Sequence, residues 1–185
     1  MKRTAVIAVT GLALLAVAAR ADDKGTATEI DGLKSTAPAG WKAKETNAPN
    51  RVYHFVLPKE KDDKFDGELI VFHFGNGQGG TAAANIDRWK KMITPSEGKK
   101  IDDVSRVEET KVGGAKATVV DVHGTYTYKM RPFDPNEKGE QRENYRLIGV
   151  VLESANGPYF IRVTGPAKTI EAHKKGFDEW LKGMK

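Results

Sequence analysis

Apolar positions along this chain recur with a period of two in several short runs, and with helical spacing in only two places. From Arg51 to Leu57 the run Val52-Tyr53-His54-Phe55-Val56-Leu57 is rich in strand formers and is stopped by Pro58. Glu68 to Phe74 alternates, with Leu69, Val71 and His73 on one face and Ile70, Phe72 and Phe74 on the other. Two such apolar faces predict a strand buried from both sides. Leu33 to Trp41, broken by Pro38 and Gly40, reads as a short strand ending in a turn. Val104 to Val112 and Lys116 to Tyr128 flank Gly113-Gly114, a dipeptide that suits a tight hairpin because both central residues can take positive φ. Tyr145 to Ser154 and Tyr159 to Thr164 flank Asn156-Gly157-Pro158, which predicts a second hairpin.

The period changes at Ala82, Ile86, Trp89 and Ile93, which predict a helix of about three turns, capped by Thr81 and stopped by Pro95. Gly165-Pro166 ends the last strand. Ile170, His173, Phe177, Trp180, Leu181 and Met184 then mark the inner stripe of a final amphipathic helix. The charged stretch Lys59 to Asp66 reads as an exposed connection, and Met130 to Asn144, with Pro132, Pro135 and Gly139, as a mobile loop. Strands, a helix, four hairpin-linked strands and a helix predict an α+β fold. The expectation is a single domain over residues 31–185, a central antiparallel sheet of about six strands sandwiched by helices.

The first residues follow a different logic. Lys2 and Arg3 precede a largely apolar run from Ala5 to Ala19, and Ala19-Arg20-Ala21 has the small-x-small form that a signal peptidase reads. Residues 1–21 are therefore expected to be a cleaved signal peptide and residues 22–30 a flexible leader. An apolar run of about 15 residues falls short of the roughly 20 needed to span a bilayer, so no transmembrane segment is expected after cleavage. The expected location is the periplasm or the outside. Residues 1–21 carry three basic residues and no acid, so without them the formal charge falls from +5 to +2. That balance argues against a nucleic-acid partner, which calls for a strongly basic stripe. With no cysteine anywhere, packing alone must hold the domain.

Two stretches carry a resemblance. Phe72-His73-Phe74-Gly75-Asn76-Gly77-Gln78-Gly79-Gly80 with Asn85-Ile86-Asp87-Arg88-Trp89 is one. The other is Gly157-Pro158-Tyr159-Phe160-Ile161-Arg162-Val163-Thr164-Gly165-Pro166 with the Phe177 and Trp180 helix. Together they resemble small exported bacterial proteins of the PsbP/Mog-like fold superfamily. The resemblance implies an antiparallel sheet between helices and a binding or accessory role, and it implies no catalytic residue.

Gly75-x-Gly77-x-x-Gly80 matches the dinucleotide fingerprint in letters. A dinucleotide fold also needs a second parallel strand after the helix, and the stretch from Pro95 to Asp103 is polar and broken. The glycines are read first as a sharp strand-to-helix connection. The alternative is an anion or small-ligand site at Gly75, Asn76, Gly77, Gln78, Gly79, Gly80 and Thr81, where free amides would face the ligand. His54, His73, Asp121 and His123 lie on predicted strands and form a candidate zinc or copper site if those strands neighbour one another. No Gly-x-Ser-x-Gly elbow occurs, and adjacent acids such as Asp62-Asp63 and Asp102-Asp103 read as solvated charge. The function expected is that of a secreted, non-enzymatic binding or accessory protein that needs no cofactor. Its partner would be a protein or small ligand of the cell envelope. The alternative is a metal-binding protein or metal-dependent hydrolase with a His/Asp site assembled across strands.

Overall fold

The computed structural model describes residues 24–131, 134 and 136–185. The expected signal peptide and Pro132, Phe133 and Pro135 of the expected loop lie outside the described residues. A small hairpin comes first, β1 (Thr26–Ile30) and β2 (Leu33–Ala37). An eight-stranded antiparallel sheet follows, built from β3 (Lys42–Ala43), β4 (Arg51–Leu57), β5 (Gly67–His73), β6 (Ile93–Thr94), β7 (Ser105–Val112), β8 (Ala115–Tyr128), β9 (Glu140–Leu152) and β10 (Tyr159–Pro166). Its order is β3-β4-β5-β10-β9-β8-β6, with β7 also paired to β8. The long β8 is thus shared along its outer edge, by β7 up to Val122 and by β6 at Thr125 and Tyr126.

Helix α1 (Ala82–Lys90) packs on one face and α2 (Ala167–Lys182) on the other. Under α2 the core holds Phe55, Leu69, Val71, Ile148, Val150, Ile161, Val163, Ile170, Phe177 and Trp180. Under α1 it holds Ile86, Trp89, Val120, Leu147, Val151 and Phe160. Strict alternation along β5, β9 and β10 supplies both cores, as expected for strands apolar on each face. All three tryptophans are buried, and Trp180 Nε1 donates to Thr28 Oγ1 at 2.9 Å.

Three expectations are corrected. The sheet has eight strands, not about six, because the two-residue strands β3 and β6 add to the six long ones. Pieces so short leave no periodicity to read. The leader expected over residues 22–30 is ordered from Thr26, since Thr28 and Ile30 are buried against α2 and its neighbours. The loop expected over Met130 to Asn144 ends at Glu140, where β9 begins opposite Tyr128.

Helix α1 begins as read, with Thr81 Oγ1 accepting from Ala84 N at 3.2 Å. Helix α2 has no such cap of its own, because its N-cap residue is Pro166. Asp63, in the charged connection after β4, supplies it: Asp63 Oδ2 accepts from Thr169 N at 3.0 Å and from Thr169 Oγ1 at 2.6 Å. One of the acids read as solvated charge is therefore a helix cap delivered from far along the chain.

Candidate functional site

Helix α1 is nine residues long, so it covers about 13 Å of a sheet face whose longest strands run for about 40 Å. Beyond its C-terminal end the face is open. Arg162 and Thr164 of β10, Tyr145 of β9, Tyr126 and Tyr128 of β8, and Glu68 and Ile70 of β5 line a recess of about 190 Å³ there. Phe65, Asp66, Lys44, Val56 and Arg142 complete its rim.

One side of the rim is rigid. The Arg142 guanidinium lies between two aromatic rings, 3.9 Å from the Phe65 centroid and 3.8 Å from the Tyr128 centroid. Its Nε and Nη2 donate to Glu140 Oε2 at 3.1 and 2.8 Å. Next to it Tyr126 and Tyr145 stack with centroids 5.5 Å apart and planes 8° from parallel. Burial pushes both phenols above their ordinary value, so both are neutral hydroxyls across the physiological range.

The floor is polar and incompletely satisfied. Tyr145 is 4% exposed, yet its Oη makes no hydrogen bond of good geometry, although the Arg142 guanidinium is near enough to pull the phenol's pKa back down, and Thr164 Oγ1 has no partner. Buried polar atoms are normally paired, and leaving one unpaired costs about 1–3 kcal/mol. Arg162 forms no ion pair among the described residues; its guanidinium lies 5.9 Å from the Phe72 ring, with Nη1 3.7 Å from Met92 Sδ. Two orphaned hydroxyls and one unpaired guanidinium therefore border a single hollow.

The residues picked out from sequence fall elsewhere. His54 shares the recess side of the sheet and meets Glu68 Oε1 at 3.2 Å, while His73 faces the other side, stacked on Tyr159. Asp121 and His123 lie on β8, separated from β5 by β10 and β9. Alternation along β4 and β5 thus aims the two candidate histidines in opposite directions, and two intervening strands put about 14 Å between β5 and β8. Asp121 is instead held by Arg146, whose Nε and Nη2 donate to its two oxygens at 2.9 and 2.6 Å; Arg146 also reaches Glu171 of α2. Among the described residues, no group of three His, Asp or Glu side chains is placed to hold a metal ion.

In the Gly75 to Gly80 loop, Gln78 N donates to Gly75 O at 3.3 Å, and Asn85 Nδ2 donates to Gly79 O and Thr81 O at 2.9 Å each. These bonds fasten a sharp strand-to-helix connection. The loop stands at the end of the sheet where Tyr159 pairs with His73 and Leu152, while the segment after Tyr128 stands at the opposite end. Sequence reading missed the recess because its residues come from five separate strands and the segments between them, with no shared spacing. The one available signal was a row of Tyr, Arg and Thr at positions of β8, β9 and β10 where a fully covered strand would be apolar.

Two solved structures are similar. The solution structure of cyanobacterial PsbP (CyanoP) from Synechocystis sp. PCC 6803 aligns with a TM-score of 0.51 at 13% identity, covering 93% of this chain and 98% of that one. The crystal structure of a protein of unknown function from Pseudomonas aeruginosa aligns with a TM-score of 0.46 at 12% identity, over 85% and 93% of the two chains. No family model matches the chain, and no curated protein matches it at a significant level. The chain has a PsbP-like α+β fold, as its sequence resemblance implied. At such identity the likeness concerns fold alone.

Proposed function

We propose that this chain is an exported, non-enzymatic binding or accessory protein whose ligand site is the recess between Arg162, Tyr145 and Thr164. The carrying observation is the buried Tyr145 hydroxyl, which lies at the recess wall with no hydrogen bond of good geometry. A protein that uses the recess only as filler would gain stability with phenylalanine there, whereas a bound molecule would satisfy the hydroxyl. Export rests on the sequence of residues 1–21. None of the described helices is long and apolar enough to cross a membrane. Among the described residues the metal-dependent alternative has no ligand cluster to rest on, since His54, His73 and the Asp121–His123 pair are kept apart by the sheet.

The test is a screen of small polar metabolites against the purified protein, followed by aromatic resonances in NMR. Binders should shift Tyr145 and Tyr126, and Arg162→Gln should abolish the shifts without unfolding the chain. Binders that leave both tyrosines unmoved would remove the recess as the site. Cell fractionation of the full-length chain tests export: retention in the cytoplasm with residues 1–21 intact would overturn it.

A further inference from the structure

From the arrangement of charge in the recess we infer that its ligand is a small zwitterion of amino-acid size, with its carboxylate at Arg162 and its ammonium at Glu68. This rests on the recess being the ligand site. Arg162 and Glu68 lie on adjacent paired strands: Arg162 is opposite Ile70, and Thr164 is opposite Glu68. Their side chains point to the same face, yet they form no ion pair with each other. Arg162 leans toward Phe72 and Met92, while Glu68 reaches the other way to His54. Opposite charges held apart on neighbouring strands leave a gap that a molecule bearing both charges can bridge.

The other groups support this choice over a ligand of one sign. Lys44, Arg142 and Arg162 line the recess together with Asp66 and Glu68. A bare anion would meet two carboxylates and a bare cation three basic groups, and like charge at close range is costly. His54 is 8% exposed and burial holds its imidazole below the ordinary value, so Glu68 meets an uncharged ring rather than an imidazolium at neutral pH. The volume of about 190 Å³ lies below the roughly 300–1,000 Å³ of drug-sized pockets, which limits the ligand to a compact molecule.

The experiment is an NMR titration with L-alanine, L-serine, acetate, inorganic phosphate and methylammonium. It uses the wild type, Glu68→Gln, Arg162→Gln and, in case the glutamine variant misfolds, Arg162→Lys. An amino acid should bind at least tenfold more tightly than acetate or methylammonium. Glu68→Gln should lower amino-acid affinity to the level of acetate while leaving acetate unchanged, and Arg162→Gln should weaken both; Arg162→Lys should retain part of the binding. Acetate or phosphate binding as tightly as the amino acids would overturn the zwitterion and leave the recess standing as an anion site. Unchanged amino-acid affinity in Glu68→Gln would overturn it as well. If none of these probes shifts Tyr145 while another compound class does, the zwitterion fails alone; silence toward every compound removes the recess too.

Discussion

The ring of Trp89 lies flat against the α-carbon of Gly149, so that a β-carbon at that glycine would overlap the indole. This contact sets how closely α1 approaches the sheet, and Gly149 is the β9 partner of Arg162, which lines the recess. Overpacking of a filled core typically costs about 1–3 kcal/mol. Gly149→Ala is therefore expected to lower the thermal midpoint by several degrees and to weaken any recess ligand, while Gly114→Ala, where a β-carbon would meet open space, should leave the ligand unaffected. Calorimetry with a binding assay checks both, and equal ligand loss in the two variants would contradict the argument.

Tyr145→Phe separates stability from binding. Removing a buried hydroxyl whose nearby Arg142 guanidinium forms no well-directed hydrogen bond with it takes away more desolvation cost than bonding. Stability should stay the same or rise by up to about 1 kcal/mol, while affinity for the recess ligand falls. Urea denaturation that shows a clear loss of stability would mean the hydroxyl is satisfied in solution.

Asp121 and Arg146 form a bidentate pair whose side chains are 24% and 10% exposed. Removing one partner of such a pair leaves the other charge poorly solvated, so Asp121→Ala should cost about 2–4 kcal/mol. Arg146→Met combined with Asp121→Leu should recover most of that loss. A double variant as unstable as the single one would show that the two charges do not depend on each other.

Burial lowers the pKa of His54 against the opposing pull of Glu68, with Arg51 and Lys44 adding to the depression. The folded state thus disfavours the imidazolium, and the unfolded chain takes up the proton first as pH falls below 6.5. The associated stability is fully present above that value and is lost as pH drops toward the folded pKa. Thermal midpoints at pH 7.5 and 5.5 should differ less in His54→Gln than in the wild type. Identical pH dependence in both proteins would refute the assignment.

The hairpin at Gly113-Gly114 has φ of 56° and 86°, the positive values its sequence predicted. A β-carbon on Gly113 would also come within 2.6 Å of Leu33 Cδ2. Gly113→Ala should consequently destabilise more than Gly114→Ala, by about 1 kcal/mol or more, as read from their urea midpoints.

What could be read in the sequence was whatever a local pattern encodes. β4 was placed to the residue, β5 and α1 nearly so, because Pro58, Thr81 and the alternation of Leu69 to Phe72 are signals within one element. Strands β3 and β6 and the cap of α2 by Asp63 exist only because tertiary partners supply their hydrogen bonds. The recess is the extreme case. Arg142 and Tyr128 are neighbours through strand register, and no spacing along the chain announces Tyr145 beside Thr164. The histidines misled for the converse reason: they looked close in strand order, but the parity of β4 and β5 sends them to opposite faces.

Residue 28 takes a hydrogen bond from residue 180, and Lys34 exchanges backbone bonds of 2.9 and 3.3 Å with Lys185. The small hairpin layer is thus fastened by residues that stand 152 positions apart at Thr28 and Trp180. Folding dominated by such distant pairings is slow, on the order of milliseconds to seconds. A nascent polypeptide wired in this way stays threadable until residues 180–185 have been made, a property that would serve the export proposed above.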